Sequence, residues 1–264
     1  MGPLFIMGFP RSGTTAMAKA IAGLGRFGTH EREGHLLYLF TQPLARIIRG
    51  GENETSVLRA EGAREAFLER FAGLANATFS ASGDPSDTMW IDKTPDLAQV
   101  RAARVLASLW PQARFIYLYR DPVAAIRSSV ALWGDRVAGK EHEAAARWTA
   151  CQRAWRAVRR PLRGRSVEIF QGDMLDRPGL AAAALSRAID LSAHERLTVS
   201  RVLAADRGVN RPQGLQGDAH DAVALAPHVV REILTITADE RARWPRLVSP
   251  QTGPASRAAG EATS

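Results

Sequence analysis

Leu4-Phe5-Ile6-Met7-Gly8-Phe9-Pro10-Arg11-Ser12-Gly13-Thr14-Thr15 stands near the start of the chain and decides how the rest is read. Residues 4–9 form an unbroken apolar run, short and halted at Pro10 and Gly13, which predicts a buried strand. From Thr14 the spacing becomes helical, with Met17, Ile21 and Leu24 on one stripe and Gly23, Gly25 and Gly28 to end it. A strand, a glycine-bearing turn and a helix, in that order, gather backbone N–H groups at a helix N-terminus, where they suit phosphate oxygens. Thr14 and Thr15 add hydroxyls, and Arg11 adds a full charge with several donors. Gly8 and Gly13 have the spacing of G-x-x-x-x-G-K-[ST], but Thr14 stands where that pattern needs lysine, which counts against an ATPase or kinase loop.

Working outward, residues 35–48 and 61–76 read as helical and 77–87 as a loop. The pattern then alternates as in an α/β protein: strands at 88–91, 114–119 and 166–170, and helices at 95–110, 122–132, 141–160 and 180–189. The nearly all-apolar or aromatic strand at 114–119 suits a parallel sheet covered on both faces. Ala144, Trp148, Cys151, Trp155 and Val158 recur at helical spacing along 141–160. Residues 192–206 and 223–236 are expected to be helical and 207–220 a loop. Residues 1–248 read as one domain and 249–264 as a frayed tail. The predicted fold class is α/β, a mostly parallel sheet flanked by helices.

A second candidate anion site lies in Tyr117-Leu118-Tyr119-Arg120-Asp121-Pro122. Arg120 follows a strand at the edge where open α/β sheets bind ligands, and Pro122 suits a helix start. Ser128, eight residues after Arg120, falls two turns into that helix, so both can converge on one phosphate.

Both motifs resemble those of sulfotransferases that use 3′-phosphoadenosine 5′-phosphosulfate (PAPS). Pro10 to Thr15 is similar to the loop that holds the 5′-phosphosulfate, and residues 115–129 to the segment whose Arg and Ser bind the 3′-phosphate. Gln171-Gly172-Asp173-Met174-Leu175 resembles a Tyr-Glu-Asp-Leu-like run, matched at Asp173 and departing at Gln171 and Gly172. The resemblance covers roughly residues 3–192 and implies a P-loop-like fold, PAPS as donor, adenosine 3′,5′-bisphosphate as product, and direct transfer without metal. Its cofactor-binding residues are Pro10, Arg11, Ser12, Gly13, Thr14, Thr15, Arg120 and Ser128.

Lys93-Thr94-Pro95 resembles the Lys-Thr-Pro of carbohydrate and protein-tyrosine members, with Lys93 expected just past a strand end and near the leaving group. Cytosolic members place a catalytic histidine where this chain has Pro95, so the base must come from elsewhere. Glu33 fits a Glu-small-His-Leu pattern seen in bacterial relatives; Glu31 and His35 are the alternatives. The acceptor, a hydroxyl of a small molecule, sugar, lipid or peptide, is expected to meet loops near 213–220 and the long helix near Trp148, with adenine contacts partly from 207–220. Two other readings stay open: a nucleotide kinase with an altered phosphate loop, for which Asp92 is the nearby metal carboxylate, and a non-catalytic nucleotide-binding protein.

Composition agrees with a folded domain. The 264 residues are 45% hydrophobic and 23% charged, which excludes wholesale disorder. Lysine and arginine total 35 against 27 acidic residues, for a net charge of +8, and only Lys19, Lys93 and Lys140 are lysines. The excess suits an anionic ligand. The basic residues are scattered, the densest group being Arg159, Arg160, Arg163 and Arg165, so no nucleic-acid partner is expected. The single cysteine, Cys151, excludes an internal disulfide framework and is expected to pack in the core. The opening apolar run is too short for a signal core or a membrane span, and a soluble cytoplasmic protein is expected.

Overall fold

The computed structural model describes residues 2–28, 40, 41, 44, 45, 62–79, 89–206 and 223–244. Its strands are β1 (Leu4–Gly8), β2 (Phe27–Gly28), β3 (Met89–Lys93), β4 (Arg114–Tyr119) and β5 (Ser166–Phe170). They form one sheet in the order β2-β3-β1-β4-β5, and every pairing is parallel. The chain must cross back after each strand, and helices make most of those crossings. The described helices are α1 (Thr14–Ala22), α2 (Ala63–Phe79), α3 (Leu97–Leu109), α4 (Pro122–Trp133), α5 (Glu141–Arg159), α6 (Gln171–Asp176), α7 (Pro178–Ile189), α8 (Ala193–Ala205) and α9 (Pro227–Arg241). The α/β architecture with a mostly parallel, doubly covered sheet is therefore as the sequence implied.

Alternation along the strands sorts the core. Phe5, Met7, Phe115, Tyr117 and Tyr119 face one way and share a core with α2 to α5 and α9. Leu4, Ile6, Ile116, Leu118, Val167 and Ile169 face the other way, against α1, α6, α7 and α8. The first face is packed with rings. Tyr117 stacks on Trp155 with centroids 4.5 Å apart and planes 4° apart, and Trp244 lies 4.2 Å from Tyr119. Asn76 Oδ1 accepts from the indoles of both Trp90 (3.0 Å) and Trp110 (2.9 Å), which pins α2 to this face.

Element ends differ from the sequence reading where tertiary pairing or a cap decides them. The two-residue β2 was not expected; its pairing of Phe27 with Met89 and Gly28 with Trp90 supplies the strand that local pattern does not. β3 runs to Lys93 because it stays paired with β1, Ile6 opposite Lys93. α3 starts at Leu97 rather than residue 95, because Asp96 is its N-cap and accepts from Ala98 N at 2.7 Å. The short α6 follows β5 directly. Pro227 at N1 starts α9 later than residue 223, and the helix continues past 236 because Glu240, 1% exposed, is held by Arg153 (3.1 Å) and Arg156 (2.6 Å) of α5. Of the arginine cluster, Arg159 pairs with Glu168 at 3.2 Å and Arg165 donates to the Pro111 carbonyl at 2.7 Å, beyond the end of α3. Among the described residues no helix is long and apolar enough to cross a membrane. Residues 245–264 lie outside the described ones.

Candidate functional site

The loop between β1 and α1 is shaped by glycines at its two ends. A Cβ on Gly8 would collide with the Leu118 carbonyl oxygen of the neighbouring strand. Gly13 has φ +89 and is the N-cap of α1, a conformation that disfavours a side chain. Between them Ser12 N donates to Phe9 O at 3.2 Å, closing the turn, and Arg11 takes the left-handed φ of +67. The N-cap Gly13 gives α1 no side-chain cap and the first turn has no acidic residue, so the N–H groups that lack intrahelical partners face the loop. Ser12 is completely buried, and among the described residues its Oγ has no hydrogen-bond partner. An orphaned buried hydroxyl beside free helix N–H groups fits an anion.

Arg120 and Ser128 reach the same place from the other cover of the sheet. Asp121 caps α4 by accepting from Ala124 N at 3.0 Å, and Pro122 takes its first turn. Ser128 is buried on this helix. Arg11 Nε donates to Ser128 Oγ at 3.1 Å, and Arg120 donates through one terminal nitrogen to the Arg11 carbonyl at 2.9 Å. The two sequence motifs, more than 100 residues apart, thus meet through Arg11. Burial lowers the Arg11 pKa from its ordinary value, so an anionic neighbour would gain from the desolvated charge.

Lys93, at the end of β3, is buried on the α1 side of the sheet, opposite Ile6. It is a strand residue, not one just past the strand end, because Thr94 N still donates to Ile6 O at 3.2 Å. Asp92 faces the aromatic side, where it accepts from Thr94 Oγ1 (2.6 Å) and Gln99 Nε2 (2.9 Å). The carboxylate that a kinase reading needs for a metal is therefore engaged on both oxygens by protein donors. Asp173 is buried and accepts from Arg177 at 2.5 Å. Glu31, Glu33 and His35 lie outside the described residues, as does 207–222.

Some further features escaped the sequence reading and one agrees with it. Trp148 is fully buried, and its indole donates to the Arg120 carbonyl at 3.1 Å, holding the strand end. Its place on the apolar stripe of α5 was the available signal. Gln171 and Met174 of α6 press on the loop between β1 and α1, each with a carbon 3.3 Å from where a Gly13 Cβ would stand. Cys151 is in the core, as expected; burial pushes its thiol up to about 12, which leaves no thiolate for nucleophilic work at neutral pH. A groove of about 700 Å³ lined by Arg101, Ala146, Thr149, Ala150, Arg153 and Ile236, among others, shares no residue with the loop.

A model described as "Sulfotransferase family" matches residues 3–195. Among solved structures the chain is similar to the sulfotransferase domain from the Synechococcus PCC 7002 olefin synthase, with 19% identity, TM-score 0.54, and coverage of 90% of this chain and 94% of that one. It is also similar to the sulfotransferase domain from the curacin biosynthetic pathway, with 16% identity, TM-score 0.56, and coverage of 90% and 96%. No curated protein matches significantly.

Proposed function

We propose, from the premise that the chain belongs to the sulfotransferase family, that it moves a sulfuryl group from PAPS to an acceptor hydroxyl of a small molecule, sugar, lipid or peptide. The observation that carries the reading is the joining of two anion-binding motifs through Arg11, which donates to Ser128 while its carbonyl accepts from Arg120. One anion site would serve many nucleotides. Two sites side by side call for a ligand with two separate phosphates.

In this reading Pro10 to Thr15 hold the 5′ end, with Ser12 Oγ and the free N–H groups of α1 as donors, and Arg120 and Ser128 hold the 3′-phosphate. Bound PAPS supplies the sulfuryl group, whose S–O bond to the 5′-phosphate breaks as the acceptor oxygen bonds to sulfur. Lys93 stabilises charge on the departing phosphate. Glu33 takes the acceptor proton, with Glu31 and His35 the next candidates. Arg11, between the two ends, balances the negative charge of both. Pro95 after Lys93-Thr94 favours the carbohydrate and tyrosylprotein-like branch over the cytosolic small-molecule enzymes.

Calorimetry with adenosine 3′,5′-bisphosphate, ADP and AMP tests the donor site. The bisphosphate should bind at least about tenfold more tightly, the worth of a charge-assisted contact. Turnover of PAPS with an acceptor library tests the reaction, and Glu33→Gln should lower it by about 10²–10⁴ with bisphosphate affinity unchanged. Equal affinity for the three nucleotides and no turnover would overturn the reading.

A further inference from the structure

Lys93 and Asp92 are neighbours in sequence but lie on opposite faces of the sheet. Asp92 is opposite Phe5, in the aromatic core, and is 3% exposed. A carboxylate there is costly unless donors surround it. The fold provides Thr94 Oγ1 at 2.6 Å and Gln99 Nε2 at 2.9 Å. Thr94 and Gln99 are both fully buried, and Gln99 sits in the first turns of α3. The carboxylate therefore ties together the end of β3, the Thr94-Pro95 turn and the next helix. Thr94 is fixed a second time by its backbone bond to Ile6 O at 3.2 Å. Lys93 lies between these anchors and leaves the sheet on the opposite side, next to the strand that feeds the phosphate loop.

We propose that Asp92 is a positioning residue for sulfuryl transfer: through Thr94 and Gln99 it locks the strand end that aims Lys93 at the phosphate loop. The proposal rests on the reading of Lys93 given above. It concerns geometry, and the structure offers a way to separate geometry from charge. Among the described residues, Gln99 Oε1 is buried with no hydrogen-bond partner. In Asp92→Asn, the new carbonyl can still accept from Thr94, and once the Gln99 amide turns over, its Oε1 takes the place of Nε2 and accepts from the new amide. The tie survives while the charge is lost.

Lys19, Lys93 and Lys140 are the only lysines, so lysine-selective isotope labelling gives three side-chain signals in the whole chain, and Lys93→Ala identifies the relevant one. Titration with PAPS should shift the Lys93 signal. Asp92→Ala, and the nearly isosteric Thr94→Val should Asp92→Ala not fold, should move its resting position and shrink that response. They should also slow the release of adenosine 3′,5′-bisphosphate from PAPS in water by about tenfold to a hundredfold, the cost of a misaimed group. In that release a water oxygen takes the sulfuryl group, the 5′-phosphate keeps the bridging oxygen, and two protons pass to solvent. Affinity for the bisphosphate should stay within about twofold, since the phosphate clamps are intact. Asp92→Asn should restore the signal and the rate.

A wild-type Lys93 signal that ignores PAPS overturns the functional reading, and this proposal with it. A wild-type signal that responds, with the same response and rate in both tie-breaking variants, overturns the proposal alone. So does an Asp92→Asn protein as impaired as Asp92→Ala, because the charge and not the tie would then matter.

Discussion

On one face of the sheet Phe5, Phe115, Tyr117 and Tyr119 share a core with Trp90, Trp110, Trp155 and Trp244; on the other, Leu4, Ile6, Ile116 and Leu118 share one with Met17, Ile21, Leu185 and Val199. Every other residue of the same strands builds each face, so the division comes from the pleat. On the aromatic face the heteroatoms of Trp90, Trp110, Trp155 and Tyr117 have polar anchors, supplied by Asn76, Glu168 and Gln152. The aliphatic face needs none. The difference has a functional side. α1, with the loop that precedes it, covers the aliphatic face, and α4, with Ser128, covers the aromatic one. The candidate site is the seam where the two covers meet over the carboxyl edge of the sheet.

The sharpest way to break this comparison is to weaken one face and read both. Trp155→Ala removes the ring stacked on Tyr117 and strips Glu168 of an indole donor. It should cost about 3–5 kcal/mol in denaturant unfolding. A loss under about 1 kcal/mol would show that the stacked rings are not what closes that face. Next in size is the seam. Arg120→Ala should weaken adenosine 3′,5′-bisphosphate by about 1.5–3 kcal/mol and leave AMP almost unchanged; equal losses in calorimetry would remove the 3′-phosphate assignment.

A smaller effect belongs to the aliphatic cover. Ser192 accepts from Glu195 N at 3.2 Å and Glu195 accepts from Ser192 N at 2.8 Å, a capping box that starts α8. Ser192→Ala should cost about 1 kcal/mol in unfolding, with nucleotide affinity unaltered. An effect of the same size is a pH dependence on the aromatic side. Burial raises the Cys151 thiol from 9.0 to about 12, so its contribution to stability is complete below pH 9 and is lost as pH climbs from 9 towards 12. Between pH 9 and 10 wild type should lose about 1 kcal/mol more than Cys151→Ala. Parallel stability curves for the two proteins would show that the thiol does not titrate on unfolding.

The sheet was legible because its four longer strands are buried runs that local pattern exposes, and because glycine and proline mark their ends. β2 was not legible, since two residues carry no period and only the pairing with β3 defines them. Arg11, Arg120 and Ser128 could be picked out from motif spacing, but the bonds joining them through Arg11 depend on two helices on opposite faces. The Asp92 tie spans residues 92, 94 and 99 across a strand, a turn and a helix, and no periodic pattern records such a group. Glu240 and Trp244 were missed because the apolar pattern of 223–236 stops short of them, whereas their burial depends on α5 and β4.

The left-handed backbone of Arg11 matters for anyone who would improve this protein in the laboratory. A non-glycine residue held there carries strain of about 1–3 kcal/mol, and glycine at the same place would release it. A library selected only for survival after heating should therefore enrich Arg11→Gly, and its winners should be the poorest binders of a doubly phosphorylated nucleotide. Sequencing the survivors before and after adding a nucleotide-capture round checks this: the two rounds should pull codon 11 in opposite directions.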